Sequence, residues 1–192
     1  MVKGLILGTL VGTVATIETQ RLLLRLPQAS DAQAFLDIHQ DPEVIELKQV
    51  TMDEPPGGID FAVRNVERML RHWESQRFGQ WAVVERATGE VIGCVGFYNP
   101  KGWLGIDLSW IMHRSRWGNG FATEACLAAI DWAWQTDEIH HIISLIGPHD
   151  LRSIRIATKI GEQFERADVD PLNGEKVVVY GIRRASRINL ST

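Results

Sequence analysis

The chain has 192 residues, 45% hydrophobic and 23% charged, with a formal net charge of −4, the profile of one globular domain long enough to bury its own core. The mild acidity argues against a nucleic-acid binder, which carries a basic excess, and no run of like charge marks a tail or patch. Two cysteines, Cys94 and Cys126, match no metal spacing and read as small buried hydrophobes, in keeping with a reducing, cytoplasmic setting.

Met1-Val2-Lys3 and the apolar stretch 4–15 have the look of a short signal peptide. The stretch is too short and too rich in Gly and Thr to span a bilayer, and no small-x-small cleavage site follows. Residues 1–16 are therefore read as an N-terminal extension, 17–185 as the folded domain and 186–192 as a tail. Residues 21–26 predict a first strand ended by Pro27, and Ser30 with Gln33 gives a capping-box signal for a helix through His39. Pro42, Pro55, Pro56 and two glycines punctuate 41–58, which predicts loop with a short helix inside. Ala62, Val66, Met69 and Trp73 recur at helical spacing and predict a helix over 59–76. Runs 81–86 and 91–98 around a Gly-bearing turn predict an antiparallel hairpin, and 106–112 extends it to a meander. Ala122, Ala125, Cys126, Ala129 and Ala133 share one face of a helix running to about 135. A strand over 139–146, a short helix over 153–160, and strands at Phe164 and 176–183 close the chain. The order implies one α/β domain: a mixed, largely antiparallel central sheet with helices on both faces.

Between the run ending at Met112 and the alanine-rich helix lies Gly118-Asn119-Gly120. A glycine pair at a strand-to-helix turn lets the backbone approach a ligand closely. The exposed amides of the helix start, with the helix dipole, make an anion site suited to a diphosphate, to which Arg114 and Arg116 would add charge. A P-loop would need Gly-Lys-Ser or Gly-Lys-Thr, where Asn119 and Phe121 stand. A dinucleotide fingerprint would need a small residue at Thr123 and a place after the first strand of a parallel sheet.

The run Trp117-Gly118-Asn119-Gly120-Phe121-Ala122-Thr123-Glu124-Ala125 closely resembles the coenzyme A loop of the GNAT acetyltransferases, especially the Rim-type branch that acetylates ribosomal-protein N-termini. Glu18-Thr19-Gln20-Arg21-Leu22-Leu23-Leu24-Arg25 is similar to that branch's first strand, Asp41-Pro42-Glu43-Val44 to its second-helix entry, and Thr88-Gly89-Glu90-Val91-Ile92-Gly93 to its central hairpin. The run 150–161 resembles its Asn-x-x-Ser…Lys-x-Gly helix. Three residues depart from the pattern: Ser115 replaces a Gln or Arg, Asp150 an Asn beside the pantetheine, and Glu162 a Phe after Lys-x-Gly.

The resemblance implies an acetyl-CoA-dependent N-acetyltransferase in which a primary amine attacks the thioester directly. It implies cofactor contacts at Ile111, Met112, His113, Arg114, Arg116, Trp117, Gly118, Asn119, Gly120, Phe121, Ala122 and Thr123, and at Asp150, Ser153 and Lys159 on the later helix. Backbone N–H groups around Ile111 and Met112 are the donors implied for the thioester carbonyl. Asp107, where relatives often carry Glu, is the implied base. Ser153 is the implied acid for the thiolate, because Ala157 stands where many relatives have Tyr. Glu124 is expected to brace the helix start, and Trp103 and Trp110 are candidates to line an acceptor site. His140 and His141 alternate, so only one faces inward, and neither has metal-ligand company. The acceptor is a protein N-terminus or a small amine selected by 44–77, and the mild acidity leans toward a cationic one. No metal, nucleic acid or membrane is expected, and a homodimer is compatible with the sequence. The competing reading is a non-catalytic acyl-CoA-binding sensor or scaffold.

Overall fold

The computed structural model describes residues 16–48, 57–136 and 138–184. The expected N-terminal extension, the proline-rich 49–56 and the expected tail lie outside the described residues. The described residues form eight strands: β1 (Ile17–Glu18), β2 (Leu22–Arg25), β3 (Gln80–Glu85), β4 (Val91–Tyr98), β5 (Asp107–Met112), β6 (His141–Ile146), β7 (Gln163–Val169) and β8 (Lys176–Arg183). Five helices accompany them: α1 (Ala32–Gln40), α2 (Pro42–Lys48), α3 (Ile59–Gln76), α4 (Phe121–Ala133) and α5 (Leu151–Lys159). The strands form one sheet in the order β1-β2-β3-β4-β5-β6-β8-β7. Every neighbouring pair is antiparallel except β5 and β6, which run parallel.

Period-two alternation along the strands sends side chains to two cores. Trp81, Val83 and Val95 face a large cluster with Ala125, Cys126, Ala129 and Ile130 of α4. Ala82 and Cys94, on the opposite face, pack on Phe35 and Ile38 of α1 and on Val66 and Met69 of α3. The apolar stripe of α3 buries Ala62, Val66, Met69 and Trp73, and the helix stops where Arg77 adopts a left-handed conformation. Trp73 then meets Trp81 and Trp132 edge-on. Gly96 has φ +146 where β4 crosses β3, and a Cβ there would lie 2.2 Å from the Gly79 carbonyl oxygen, so the crossing admits only glycine.

Helix α1 corrects the expected cap. It begins at Ala32, and its entry is held by Asp31, not Ser30. The Asp31 carboxylate accepts from the Gln28 N–H at 2.8 Å and from both terminal nitrogens of Arg25 at 2.7 and 2.8 Å. A buried carboxylate gains more from a bidentate guanidinium than a serine hydroxyl gains from one amide.

The sheet opens between β5 and β6. These strands share one registered pair, Asp107 with Ile143, held by the Ile143 N–H on the Ile106 carbonyl at 2.9 Å. Beyond that point β5 stays laddered to β4 as far as Met112 and leaves its other edge without a strand partner.

Candidate functional site

A cleft of about 320 Å³ lies along this opening, and Asp107, Ser109, Ile111, Ser144, Asp150 and Ser153 are among its lining residues. The β5 ladder decides which backbone groups face it. The His113 N–H donates to the Ile92 carbonyl at 2.8 Å, so alternation directs the Ile111 N–H toward β4 as well. The N–H groups of Trp110 and Met112 point to the open edge. Of the two donors expected for a thioester carbonyl, Met112 is the one on the free side.

At the closed end of the cleft, side chains continue what the backbone pairing stops. The Leu145 N–H donates to Asp107 Oδ1 at 3.1 Å, and Ser144 Oγ lies 2.9 Å from both the Leu108 carbonyl and Glu162 Oε1. Asp107 is 6% exposed and Glu162 2%. Burial pushes the Glu162 carboxyl up to about 8, with the Asp107 and Glu165 charges adding to the rise and the Ser144 hydrogen bond opposing it. Asp150 caps α5 by accepting the Ser153 N–H at 3.0 Å, which sets both residues on the cleft wall.

The opposite wall comes from α3 and the end of β4, with Arg64, Arg68, Arg71, His72, Tyr98 and Trp103 contributing. His72 packs tilted against Tyr98 and edge-on against Phe78, at ring-centroid distances of 5.2 and 5.6 Å. Burial depresses its pKa below the ordinary histidine value, and its Nε2 has no hydrogen-bond partner, so the neutral ring lines the cleft. Trp103 and Trp110 both line it, and Trp110 also packs into the core.

The glycine loop follows β5. Gly118 and Gly120 both take left-handed torsions, φ +78 and +79, and Gly120 stands at the N-cap of α4 without offering a side-chain cap. A Cβ at Gly118 would meet nothing within 4 Å, and the first-turn amides from Phe121 to Thr123 precede the first intrahelical bond, from the Glu124 N–H to the Gly120 carbonyl. Glu124 anchors this turn to the first strands: it accepts from Thr19 Oγ1 at 2.6 Å, from the Arg21 N–H at 3.0 Å and from Arg21 Nε at 2.6 Å. Burial opposes ionisation there, but the donors from Thr19 and Arg21 outweigh it and hold the Glu124 carboxyl below its ordinary value. Arg21 also covers the ring of Phe121 at 4.4 Å.

Several expected contacts are otherwise engaged. Arg116 pairs with Glu85 and Glu90 of the β3–β4 hairpin, each at 3.0 Å, and Arg114 pairs with Glu43 of α2. His113 turns back so that its Nδ1 lies 2.8 Å from Ser115 Oγ. The Trp117 indole donates to the Met112 carbonyl at 2.9 Å, while Arg152 covers its ring at 4.5 Å. Asn119 Nδ2 donates to the Trp117 carbonyl at 3.1 Å. Lys159 is exposed in the last turn of α5 and does not line the cleft. The arginine charge that the sequence offers to a diphosphate is thus paired with carboxylates around the loop. His141 is the inward member of the histidine pair and lies 2.7 Å from Glu165. Both cysteines are buried thiols outside any disulfide.

Residues 21–163 match the family model described as the acetyltransferase (GNAT) domain. The uncharacterized N-acetyltransferase p20 of Bacillus licheniformis is 27% identical over 172 residues, which cover 86% of this chain and 93% of that protein. An acetyltransferase structure from Agrobacterium tumefaciens aligns with a TM-score of 0.76 at 24% identity, covering 92% of this chain and 99% of the other. RimL, a ribosomal α-N-protein acetyltransferase solved with coenzyme A, aligns with a TM-score of 0.73 at 13% identity over 88% of this chain and 98% of its own.

Proposed function

The chain belongs to the GNAT acetyltransferase family, and on that premise we propose that it moves the acetyl group of acetyl-CoA to a primary amine by direct attack of the amine on the thioester. The observation that carries the reading is the continuity of two features: the free β5 edge beyond the Asp107–Ile143 pair, and the uncapped α4 turn with left-handed Gly118 and Gly120. A diphosphate fits amides and a helix dipole at that turn. A pantetheine chain, which carries its own amides, fits a strand edge left without a partner.

In this reading the amides of Gly118, Asn119, Gly120, Phe121, Ala122 and Thr123 hold the diphosphate, with Trp117 closing one side. Asp150 lies beside the pantetheine. The Met112 N–H donates to the carbonyl oxygen as negative charge develops on it. Asp107 takes the amine proton, directly or through water. Ser153 donates toward the departing sulfur. Coenzyme A bound to RimL supports the assignment of the co-substrate. The acceptor enters past the α3 wall. Arg64, Arg68 and Arg71 stand on that wall, Arg71 paired with Glu67 at 3.5 Å and Arg68 donating to Asn65 at 2.9 Å.

Calorimetric titration of acetyl-CoA into the wild type and into Gly120→Trp tests the assignment. Saturable binding that is lost in the variant is expected. A wild type that does not bind, or a variant that binds equally well, removes the loop from the site.

A further inference from the structure

Glu162 stands where the resembling branch carries an apolar ring, and it follows α5 with its N–H on the Ala157 carbonyl at 3.0 Å. It does not line the cleft, but Ser144, which touches it, does. Its Oε2 is buried and has no hydrogen-bond partner. An ionised carboxylate with one bare oxygen is a costly arrangement inside a protein, whereas a neutral acid there is tolerated.

The hydrogen-bond directions lead to the same protonation state. Ser144 has one hydroxyl hydrogen and two neighbours at 2.9 Å, the Leu108 carbonyl and Glu162 Oε1. The Leu108 carbonyl can only accept. Both 2.9 Å contacts are made at once when Glu162 Oε1–H donates to Ser144 and Ser144 donates to Leu108. Ser144 shares its strand face with Ile142 and Ile146, which pack in the α4-side core beside Leu108. Asp107, the neighbour of Leu108, lies on the other face, where the Leu145 N–H donates to it. The two carboxyl groups thus flank one two-residue step of the β5–β6 vertex from opposite faces, and only Asp107 has an N–H donor to stabilise a charge.

Resting on the acetyl-transfer reading above, we infer that Glu162 is a positioning residue for Asp107: a neutral acid behind the vertex that hands a hydrogen bond through Ser144 to Leu108 and leaves Asp107 as the ionised member of the pair. The other charged group facing it is Glu165 on β7, itself engaged by His141 on β6 at 2.7 Å and by Arg166 at 3.6 Å. Two adjoining carboxylates resist joint ionisation, so the pair holds one proton. Near neutral pH that proton sits on Glu162, and Asp107 is free to receive one from the amine. Burial and the Asp107 charge place the loss of the Glu162 proton near pH 8. Above it, two negative charges face each other across the vertex.

The test pairs spectroscopy with kinetics on the full chain. Isotope-edited infrared spectra of protein labelled with carbon-13 glutamate are recorded without substrates, well below and well above pH 8, for wild type and Glu162→Gln. A protonated-carboxyl band is expected in the wild type at the lower pH, absent at the higher pH and absent from Glu162→Gln throughout. In kinetics, Glu162→Leu lowers kcat about tenfold with the acetyl-CoA KM unchanged, the scale of one lost hydrogen bond. Glu162→Gln, which can still donate to Ser144, recovers most of that loss but lacks the transition near pH 8. A wild type without the band overturns the inference. So do equal kcat losses in both variants with an unaltered pH profile, which would mark a packing role. The band is read without acetyl-CoA, so a failure of acetyl-CoA to bind overturns the transfer reading separately.

Discussion

The glycine loop and the β5–β6 vertex sit at opposite ends of one strand, and each contains a glutamate held in a different way. At the loop, Glu124 is reached by three donors from Thr19 and Arg21, which hold it ionised below its ordinary range. At the vertex, Glu162 has only the Ser144 hydroxyl beside it, and burial pushes it up to about 8. The loop presents backbone amides to open solvent and uses its side chains as braces. The vertex keeps its backbone paired once and places side-chain chemistry in the gap. On the proposed reading, a charged ligand is met where the protein supplies donors without reorganising, and a proton is held where donors are withheld.

Breaking the loop should have the largest effect. Gly120→Trp puts a bulky side chain at φ +79 in the mouth of the turn, and acetyl-CoA affinity should fall about 100-fold or more by calorimetry, with circular dichroism checking that the fold survives. Breaking the vertex comes next. Asp107→Asn should lower kcat about 100-fold, the scale of a lost general base, while acetyl-CoA affinity by the same titration changes little.

The third prediction sharpens the contrast through pH. The native-state pKa of Glu162 lies above its unfolded value near 4.5, so the native state keeps a proton that the unfolded chain has released. Stability attributable to this group is complete below about pH 4.5 and is lost as pH rises to about 8, at up to ~1.4 kcal/mol per pH unit. Urea unfolding at several pH values should show this slope in the wild type and not in Glu162→Gln. Glu124 has the opposite sign: its contribution is present above its ordinary value and is lost on acidification. The smallest effect is expected from Arg116→Ala. It removes an ion pair to Glu85 and Glu90 and should cost at most about 1 kcal/mol of stability, with acetyl-CoA affinity nearly unchanged.

Much of the architecture was legible before the structure. Helix α3 matches the stripe of Ala62, Val66, Met69 and Trp73, and the hairpin β3–β4 matches its two β-rich runs around Gly89. Both are local: a period or a turn residue is written within a few positions of itself. The Gly118-Asn119-Gly120 turn was legible for the same reason, since left-handed torsions favour glycine wherever the chain goes next. Helix α1 was readable as a helix but not at its cap, because the choice of Asp31 over Ser30 depended on Arg25 arriving from β2.

The sequence by itself determined the periodic elements, the α/β class, the glycine turn and its resemblance to a coenzyme A loop. Tertiary structure alone decided that Arg114 and Arg116 belong to Glu43, Glu85 and Glu90, that Met112 rather than Ile111 faces the opened edge, and that Ser144 links Glu162 to the step beside Asp107. Backbone conformation is set by neighbours along the chain. The partner of a long charged side chain, and the burial that moves a carboxyl's pKa, are set by residues tens of positions away, which only the closed sheet brings within hydrogen-bond reach.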